Sequence, residues 1–269
     1  MTTAVAAPFR FFALHVVRTR RLGPSLVRVS FAGEDLRYFL SDGYDQSLSL
    51  FLPHPGQDAP AVPLELGDSW WQGWRELPDD VRAVMRSYTL RALRRDPDEL
   101  DIDFVLHTPA GPASAWAGRA RAGDRVLLLG PAVADNRAIR FRPPDDTDLV
   151  LLWGDETALP AIASILAALP AGQRVRAWLE VRDAGSARDL VTAADAEISW
   201  RTDGSCLDAL REAPLPPAER PYAWIAGESG SVKALRRHLV RERGIDRSRV
   251  TFVGYWRQGM TEEQLRAAG

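Results

Sequence analysis

Apolar and polar residues alternate with a period of two over Phe11–Val17, Leu26–Phe31, Leu48–Leu52, Ser87–Leu90, Ile102–Leu106 and Val126–Leu129. Alternation of this kind belongs to strands that bury one face and wet the other. Short strands separated by Gly, Pro and Asp turns predict an antiparallel β-barrel for the first half of the chain. The stretch from Pro53 to Val84 fits neither the strand nor the helix period, and with Trp70, Trp71 and Trp74 it reads as an excursion over the barrel surface.

The pattern changes near Pro143-Pro144-Asp145-Asp146, where two prolines and two acids mark a linker. Beyond it, continuous apolar runs at Leu149–Trp153, Val175–Val181, Tyr222–Ala226 and Val250–Tyr255 alternate with helical runs at Ala158–Leu169, Cys206–Glu212 and Ser231–Arg243. Strands buried on both faces, alternating with helices, predict a mostly parallel α/β sheet. The expected division is therefore 1–144 and 145–269. The tail from Met260 to Gly269 reads as a short exposed helix without chemistry of its own.

With 269 residues, 46% of them apolar, the chain can bury the cores of two ordinary domains. A net charge of −2 supplies no global field for nucleic acid or an anionic membrane, so any basic pocket has to be local. Cys206 is the only cysteine, which excludes an internal disulfide and a clustered-thiolate metal site and suits a reducing cytoplasm. The start of the chain reads as neither a signal peptide nor an anchor, and no apolar run reaches the roughly 18–20 residues of a membrane span. His15, His54 and His238 fall in separate elements with no ligand spacing, so no protein-bound metal is predicted.

Two stretches carry candidate chemistry. In Arg86-Ser87-Tyr88-Thr89-Leu90-Arg91 the strand period places Arg86 and Tyr88 on one face, with the backbone beside Thr89 within reach. In His107-Thr108-Pro109-Ala110-Gly111-Pro112-Ala113-Ser114 a Gly-Pro turn opens an amphipathic run to Arg121, whose first N–H groups and positive helix end would accept a pyrophosphate. Together they read as the two halves of a flavin-binding site. His107 reads either as an acid or base or, more blandly, as a strand-end residue hydrogen-bonded to the neighbouring turn. Ser114 is not in a Gly-x-Ser-x-Gly elbow, so a hydrolase has little support and its hydroxyl is better placed on phosphate.

In the second half, Trp153-Gly154-Asp155-Glu156-Thr157 stands where a buried strand gives way to a helix, the place at which doubly wound sheets bind ligands. Its alternative reading is a helix cap, with Asp155 or Thr157 at the N-cap and Pro160 in the first turn. Arg182 and Arg188 follow a second-half strand and read either as a 2′-phosphate pair or as a solvated charged turn.

These landmarks, with His15-Val16-Val17-Arg18, Gly154-Asp155-Glu156-Thr157-Ala158-Leu159-Pro160, Ala226-Gly227-Glu228-Ser229-Gly230 and Gly254-Tyr255-Trp256-Arg257, stand in an order that resembles the siderophore-interacting protein family. The family consists of flavin-dependent ferric-chelate reductases related to the ferredoxin reductases, and the resemblance runs nearly the whole length of the chain. It implies an N-terminal FAD-binding β-barrel followed by a Rossmann-like NAD(P)-binding α/β domain. It further implies electron transfer from NADH or NADPH, or from a ferredoxin, through FAD to a ferric siderophore, with release of ferrous iron.

On that resemblance the FAD-binding residues would be Arg86, Ser87, Tyr88, Thr89, Arg91, His107 and the turn Gly111, Pro112, Ala113 and Ser114. Asp155, Thr157, Ala158 and Glu228 would line the nicotinamide rim, and Tyr255 and Trp256 would stand close to the flavin ring. The substrate-binding residues would be Ser49, Ala115, Trp116 and Arg257. Family members usually carry a Lys at the position of Ser49 and often an Arg at that of Ala115, so that of three expected cations only Arg257 remains. A less anionic ferric chelate such as a hydroxamate complex, or an organic molecule in a biosynthetic pathway, are the two substrates this departure leaves open. A module that binds flavin or chelate without turnover is the non-enzymatic alternative. No catalytic residue is assigned.

Overall fold

The computed structural model describes residues 8–204, 206–260 and 264. The chain divides into two compact units. The first comprises residues up to Leu22, Leu26–Asp42 and Gln46–Ala138, and the second comprises Gly23–Ser25, Gly43–Asp45 and Ile139 onward.

The first unit is a curled seven-stranded antiparallel sheet in the order β4-β3-β7-β1-β2-β6-β5. Its strands are β1 (Phe9–Arg21), β2 (Leu26–Ala32), β3 (Ser47–Leu52), β4 (Val84–Thr89), β5 (Ala92–Arg94), β6 (Glu99–Val105) and β7 (Arg125–Pro131). Inward residues such as Phe12, Leu14, Val29, Phe31, Ile102 and Phe104 form one core, as one-sided burial of alternating strands requires. α2 (Pro112–Arg119) closes over that core with Ala113, Trp116 and Ala117. β5 escapes the alternation because three half-buried residues are too few to show a period.

The excursion from Pro53 to Val84 holds α1 (Trp70–Glu76), preceded by a 3-10 segment at Leu64–Ser69. It is anchored from within by its tryptophans. Trp70 meets Phe11 edge-on with ring centres 4.8 Å apart, and Trp74 meets Phe51 at 6.1 Å. The Trp74 indole donates to the carbonyl of Ala83 at 3.2 Å.

The second unit is a five-stranded parallel sheet in the order β10-β9-β8-β11-β12, comprising β8 (Leu149–Gly154), β9 (Arg174–Glu180), β10 (Asp195–Arg201), β11 (Pro221–Glu228) and β12 (Val250–Trp256). Three helices cover it, α3 (Leu159–Ala168), α4 (Cys206–Glu212) and α5 (Ser229–Arg241). Every residue of β8 is buried, and α3 is buried from Leu159 through Leu166, which explains why both read as continuous apolar runs. β10 is an edge strand whose residues alternate polar and apolar from Asp195 to Arg201, with Asp195, Glu197 and Arg201 exposed and the other four half-buried.

The unit boundary falls at Ile139, ahead of the Pro143–Asp146 turn, because Ile139 and Phe141 are buried in the second unit. Phe141 packs edge-on to Tyr222 with ring centres 5.5 Å apart. The tail helix expected from Met260 lies almost wholly outside the described residues.

Candidate functional site

β4 is an edge strand, laddered to β3 alone in the sheet order, and the pairing is regular throughout. Leu48 faces Tyr88, Leu50 faces Arg86 and Leu52 faces Val84; the residues between them, Ser49 opposite Ser87 and Ser47 opposite Thr89, point to the other face. Arg86 and Tyr88 thus share a face, as the alternation requires. Tyr88 packs on Phe104 with ring centres 4.4 Å apart, and an Arg86 Nη donates to the Met85 carbonyl at 2.9 Å. Thr89 is buried, and the backbone of Arg91 donates to the Asp101 carbonyl at 2.9 Å.

The first turn of α2 supplies the second half. Gly111 is its N-cap, no side chain caps it, and Pro112 occupies the first helical positions. The N–H groups of Ala113 and Ser114 therefore emerge without an intrahelical acceptor, at the positive end of the helix. A side chain at Gly111 would meet nothing within 4 Å, so the space in front of the turn is open. The Ser114 hydroxyl, buried, accepts from the backbone N–H of His107 at 2.9 Å and holds the turn against the end of β6. A guanidinium on an edge strand and an uncapped helix start opening onto free space fit the pyrophosphate of a flavin dinucleotide.

In the second unit the strand order reverses around β8, so ligands are expected at the carboxyl ends of β8 and β11. That rim is organised by Asp155. Its Oδ1 accepts from the N–H and the hydroxyl of Thr157, at 2.9 and 2.5 Å, and its Oδ2 accepts from the Glu228 N–H at 2.8 Å and the Trp256 indole at 2.7 Å. The contact requires glycine at 227. Its φ is +141°, and a Cβ there would strike the Asp155 carboxylate.

The capping reading of this turn is corrected: the N-cap of α3 is Ala158, without a side-chain bond, because the Asp155 carboxylate closes a local turn and ties three strand ends together. Glu228 caps α5 instead, accepting from the Ser231 N–H at 2.8 Å. Glu156, which pattern reasoning passed over, is buried, takes the Ser25 hydroxyl on Oε1 and has the Arg182 Nε 3.9 Å from Oε2. No local signal marks it, since Ser25 is 131 residues away. Cys206 is buried, and burial first and then the Glu180 charge push its thiol up to about 12, which keeps it protonated at neutral pH.

The substrate residues separate. Trp116 is a core residue, stacked parallel to Phe31 with ring centres 6.3 Å apart and tilted on Phe104 at 5.8 Å; it belongs to the apolar face of α2. Ala115 lines a cleft with Leu52 and Val84, whereas Ser49 lies on the opposite face of β3 from Leu52. Arg257 and Trp256 are exposed at the end of β12, and Tyr255 is half-buried, its ring edge-on to Trp224 at 6.5 Å.

Two family models match the chain in sequence order. Residues 15–135 match the siderophore-interacting FAD-binding domain, and residues 147–259 match the siderophore-interacting protein model. The chain belongs to the siderophore-interacting protein family.

Its relatives include the ferric vibriobactin reductase of Vibrio cholerae, 31% identical over 93% of this chain and 90% of the relative. The NADPH-dependent ferric-chelate reductase of Escherichia coli is 33% identical over 92% of this chain and 93% of the relative. Among solved structures, the siderophore-interacting protein SipS of Aeromonas hydrophila superposes with a TM-score of 0.76 at 31% identity, covering 97% of this chain and 96% of that one. A ferredoxin reductase of carbazole 1,9a-dioxygenase, at 17% identity and a TM-score of 0.65, shares the fold. A curled antiparallel sheet followed by a parallel α/β sheet is thus a fold shared with that ferredoxin reductase, here in its siderophore-interacting form with an FAD-binding first domain.

Proposed function

We propose that this family member is an NADPH-dependent FAD reductase of a ferric siderophore of low negative charge. The observation that carries the reading is the pairing of the Arg86–Tyr88 face of edge strand β4 with the uncapped start of α2, in a chain collinear with ferric-chelate reductases. Bound FAD supplies the conversion of a two-electron hydride donor into single-electron transfers, which no side chain can perform. One NADPH then accounts for two ferric ions reduced, with NADP⁺ and a proton released. Ferrous iron holds hard oxygen ligands more weakly and leaves the chelate.

The chain's own residues bind and orient. Arg86 would neutralise phosphate charge, the N–H groups of Ala113 and Ser114 would donate to the remaining phosphate oxygens, and Tyr88 would flank the ring. Asp155 keeps the ends of β8, β11 and β12 in register and turns the Trp256 indole. Ser49 and Ala115 bring no charge where the family places cations. The absence of cations from those two positions weakens the hold on a multiply charged tris-catecholate complex, by a few kcal/mol together. A neutral tris-hydroxamate complex loses nothing by their absence, and we take it as the substrate class. NADPH is the donor on the likeness to the Escherichia coli enzyme. We place the reaction in the cytoplasm, where NADPH is available and Cys206 stays reduced. No helix among the described residues is long and apolar enough to cross a membrane.

The test is an anaerobic visible spectrum. NADPH should bleach the flavin band, and a ferric hydroxamate should restore it while a ferrous chelator reports two irons per NADPH. Flavin that stays oxidised with NADPH, or that stays reduced when the iron complex is added, overturns the reading in favour of a biosynthetic flavoprotein.

A further inference from the structure

Two faces of this chain carry opposite charge, and each keeps large apolar side chains exposed. The first is the outer side of the excursion between β3 and β4. From residue 53 to residue 84 the chain holds six acids against two arginines. Trp70 and Trp74 anchor the inner side of the excursion. Every residue of its 3-10 segment, Leu64–Ser69, is exposed, so Leu64 and Leu66 stand in solvent beside Glu65 and Asp68. Trp71 is exposed in the first turn of α1, its ring edge-on to Trp70 with centres 5.5 Å apart. Gly73 leaves the room that Leu66 occupies against α1, since a Cβ there would strike the Leu66 side chain.

The second face is the solvent side of α5. Val232, Leu235, His238 and Leu239 are buried, whereas Lys233, Arg237 and Arg241, spaced i, i+4 and i+8, form one exposed stripe. Arg236 lies beside the stripe, its guanidinium 4.4 Å from the ring centre of Phe252, which is exposed on β12. Among the described residues none of these four cations makes an ion pair, and Glu242 at the helix end is turned to His238 at 2.9 Å. Like charges at i, i+4 oppose one another along a helix, so the stripe costs α5 stability in an isolated chain.

We infer that the two faces are complementary and join one copy of this chain to another, the Leu64–Trp71 face of one copy seated on the α5 face of the next. Glu65 and Asp68 supply the counter-charges that α5 lacks, and the apolar side chains of the two faces cover one another, as in an interface with an apolar centre and a charged rim. The two patches differ, so the contact is heterologous. A single occupant thereby accounts for both faces. An anionic lipid surface would serve α5 alone and leave Leu64, Leu66 and Trp71 in water. None of the residues assigned to flavin or substrate takes part.

The experiment is sedimentation velocity on the full chain at about 50 mM and about 500 mM NaCl, because salt screens exposed charges. The parent should associate at low salt and dissociate at high salt. Lys233→Glu with Arg237→Glu should weaken association at low salt at least about tenfold, and so should Glu65→Lys with Asp68→Lys. An equimolar mixture of the two double variants should associate as the parent does, because each then meets the opposite charge on the other. A chain carrying all four substitutions should do the same. Circular dichroism checks folding, and Lys233→Gln with Arg237→Gln carries the test if charge reversal unfolds α5. A parent that stays monomeric at low salt up to about 0.1 mM protein overturns the inference. So does association that the variants leave unchanged, or a mixture that stays monomeric after each double variant alone has lost association. Binding of a monomeric parent to phosphatidylglycerol vesicles, lost in the α5 variant, would assign that face to lipid and overturn it as well.

Discussion

Arg86 and Tyr88 do different work from one strand face. The guanidinium is half-exposed at the sheet edge and donates to the Met85 carbonyl at 2.9 Å, whereas the phenol packs on Phe104 at 4.4 Å. Arg86→Ala should therefore give folded protein that purifies without yellow colour. Tyr88→Phe, which keeps the packing, should retain flavin with a shifted visible band. Flavin content per protein from the 450 nm to 280 nm ratio, read beside circular dichroism, checks both; full flavin in Arg86→Ala would remove that residue from the site. At the same scale, Asp155 is a motif residue whose carboxylate is taken up by hydrogen bonds within the chain. All its acceptor directions point into the protein, toward Thr157, Glu228 and Trp256.

Among the elements, β6 carries the clearest electrostatic signature. Leu100, Ile102 and Phe104 point into the core while Glu99, Asp101 and Asp103 alternate on the other face, all buried. Arg18 clamps Glu99 through two bonds of 2.9 and 2.7 Å, Arg94 spans Glu99 and Asp101, and Arg28 clamps Asp103 at 2.7 and 2.9 Å. The Arg18 hydrogen bond, with Arg94 beside it, holds the Glu99 carboxyl below the usual carboxylate range. Burial pushes Asp101 up, but hydrogen bonds from Arg94 and Ser30 outweigh it and the net direction is down.

A carboxyl lowered by folding stabilises the fold above its unfolded value of about 4 and loses that contribution as pH falls through the folded value. The urea midpoint should accordingly be flat from pH 7 to about 5 and fall steeply below about 4. Arg94→Met should start lower at pH 7 and fall less, because part of the acid-sensitive contribution is already gone. A parallel fall in parent and variant would show that the ladder does not govern acid stability.

At the scale of the whole molecule, the second unit is not a contiguous stretch of chain. It includes Gly43–Asp45 from the first half. The buried Asp45 carboxylate accepts the backbone N–H groups of Arg140 and Phe141, both at 2.9 Å, and the Trp224 indole at 2.9 Å. Asp45→Ala leaves three donors unsatisfied and should cost about 3 kcal/mol, seen as a lower denaturant midpoint with an unchanged slope. A fall under about 1 kcal/mol would mean that water replaces the carboxylate.

The two classes of sheet, the main helices of the second half, and the strand and helix start that carry the candidate flavin residues were all legible in the chain. Each is a local matter. One-faced burial imposes a period of two, two-faced burial a continuous apolar run, and a Gly-Pro turn before an amphipathic stretch starts a helix. The family's landmarks were legible for the same reason, being short and in order.

What only the tertiary structure decided was which side chains meet. The β3–β4 pairing set Ser49 on the opposite face from Leu52, and the apolar face of α2 drew Trp116 into the core. The partners of Asp155 at Trp256 and of Asp45 at Trp224 lie 101 and 179 residues away. No periodicity reports such pairings, because they are set by how strand ends converge once each sheet has formed and every buried donor must find an acceptor.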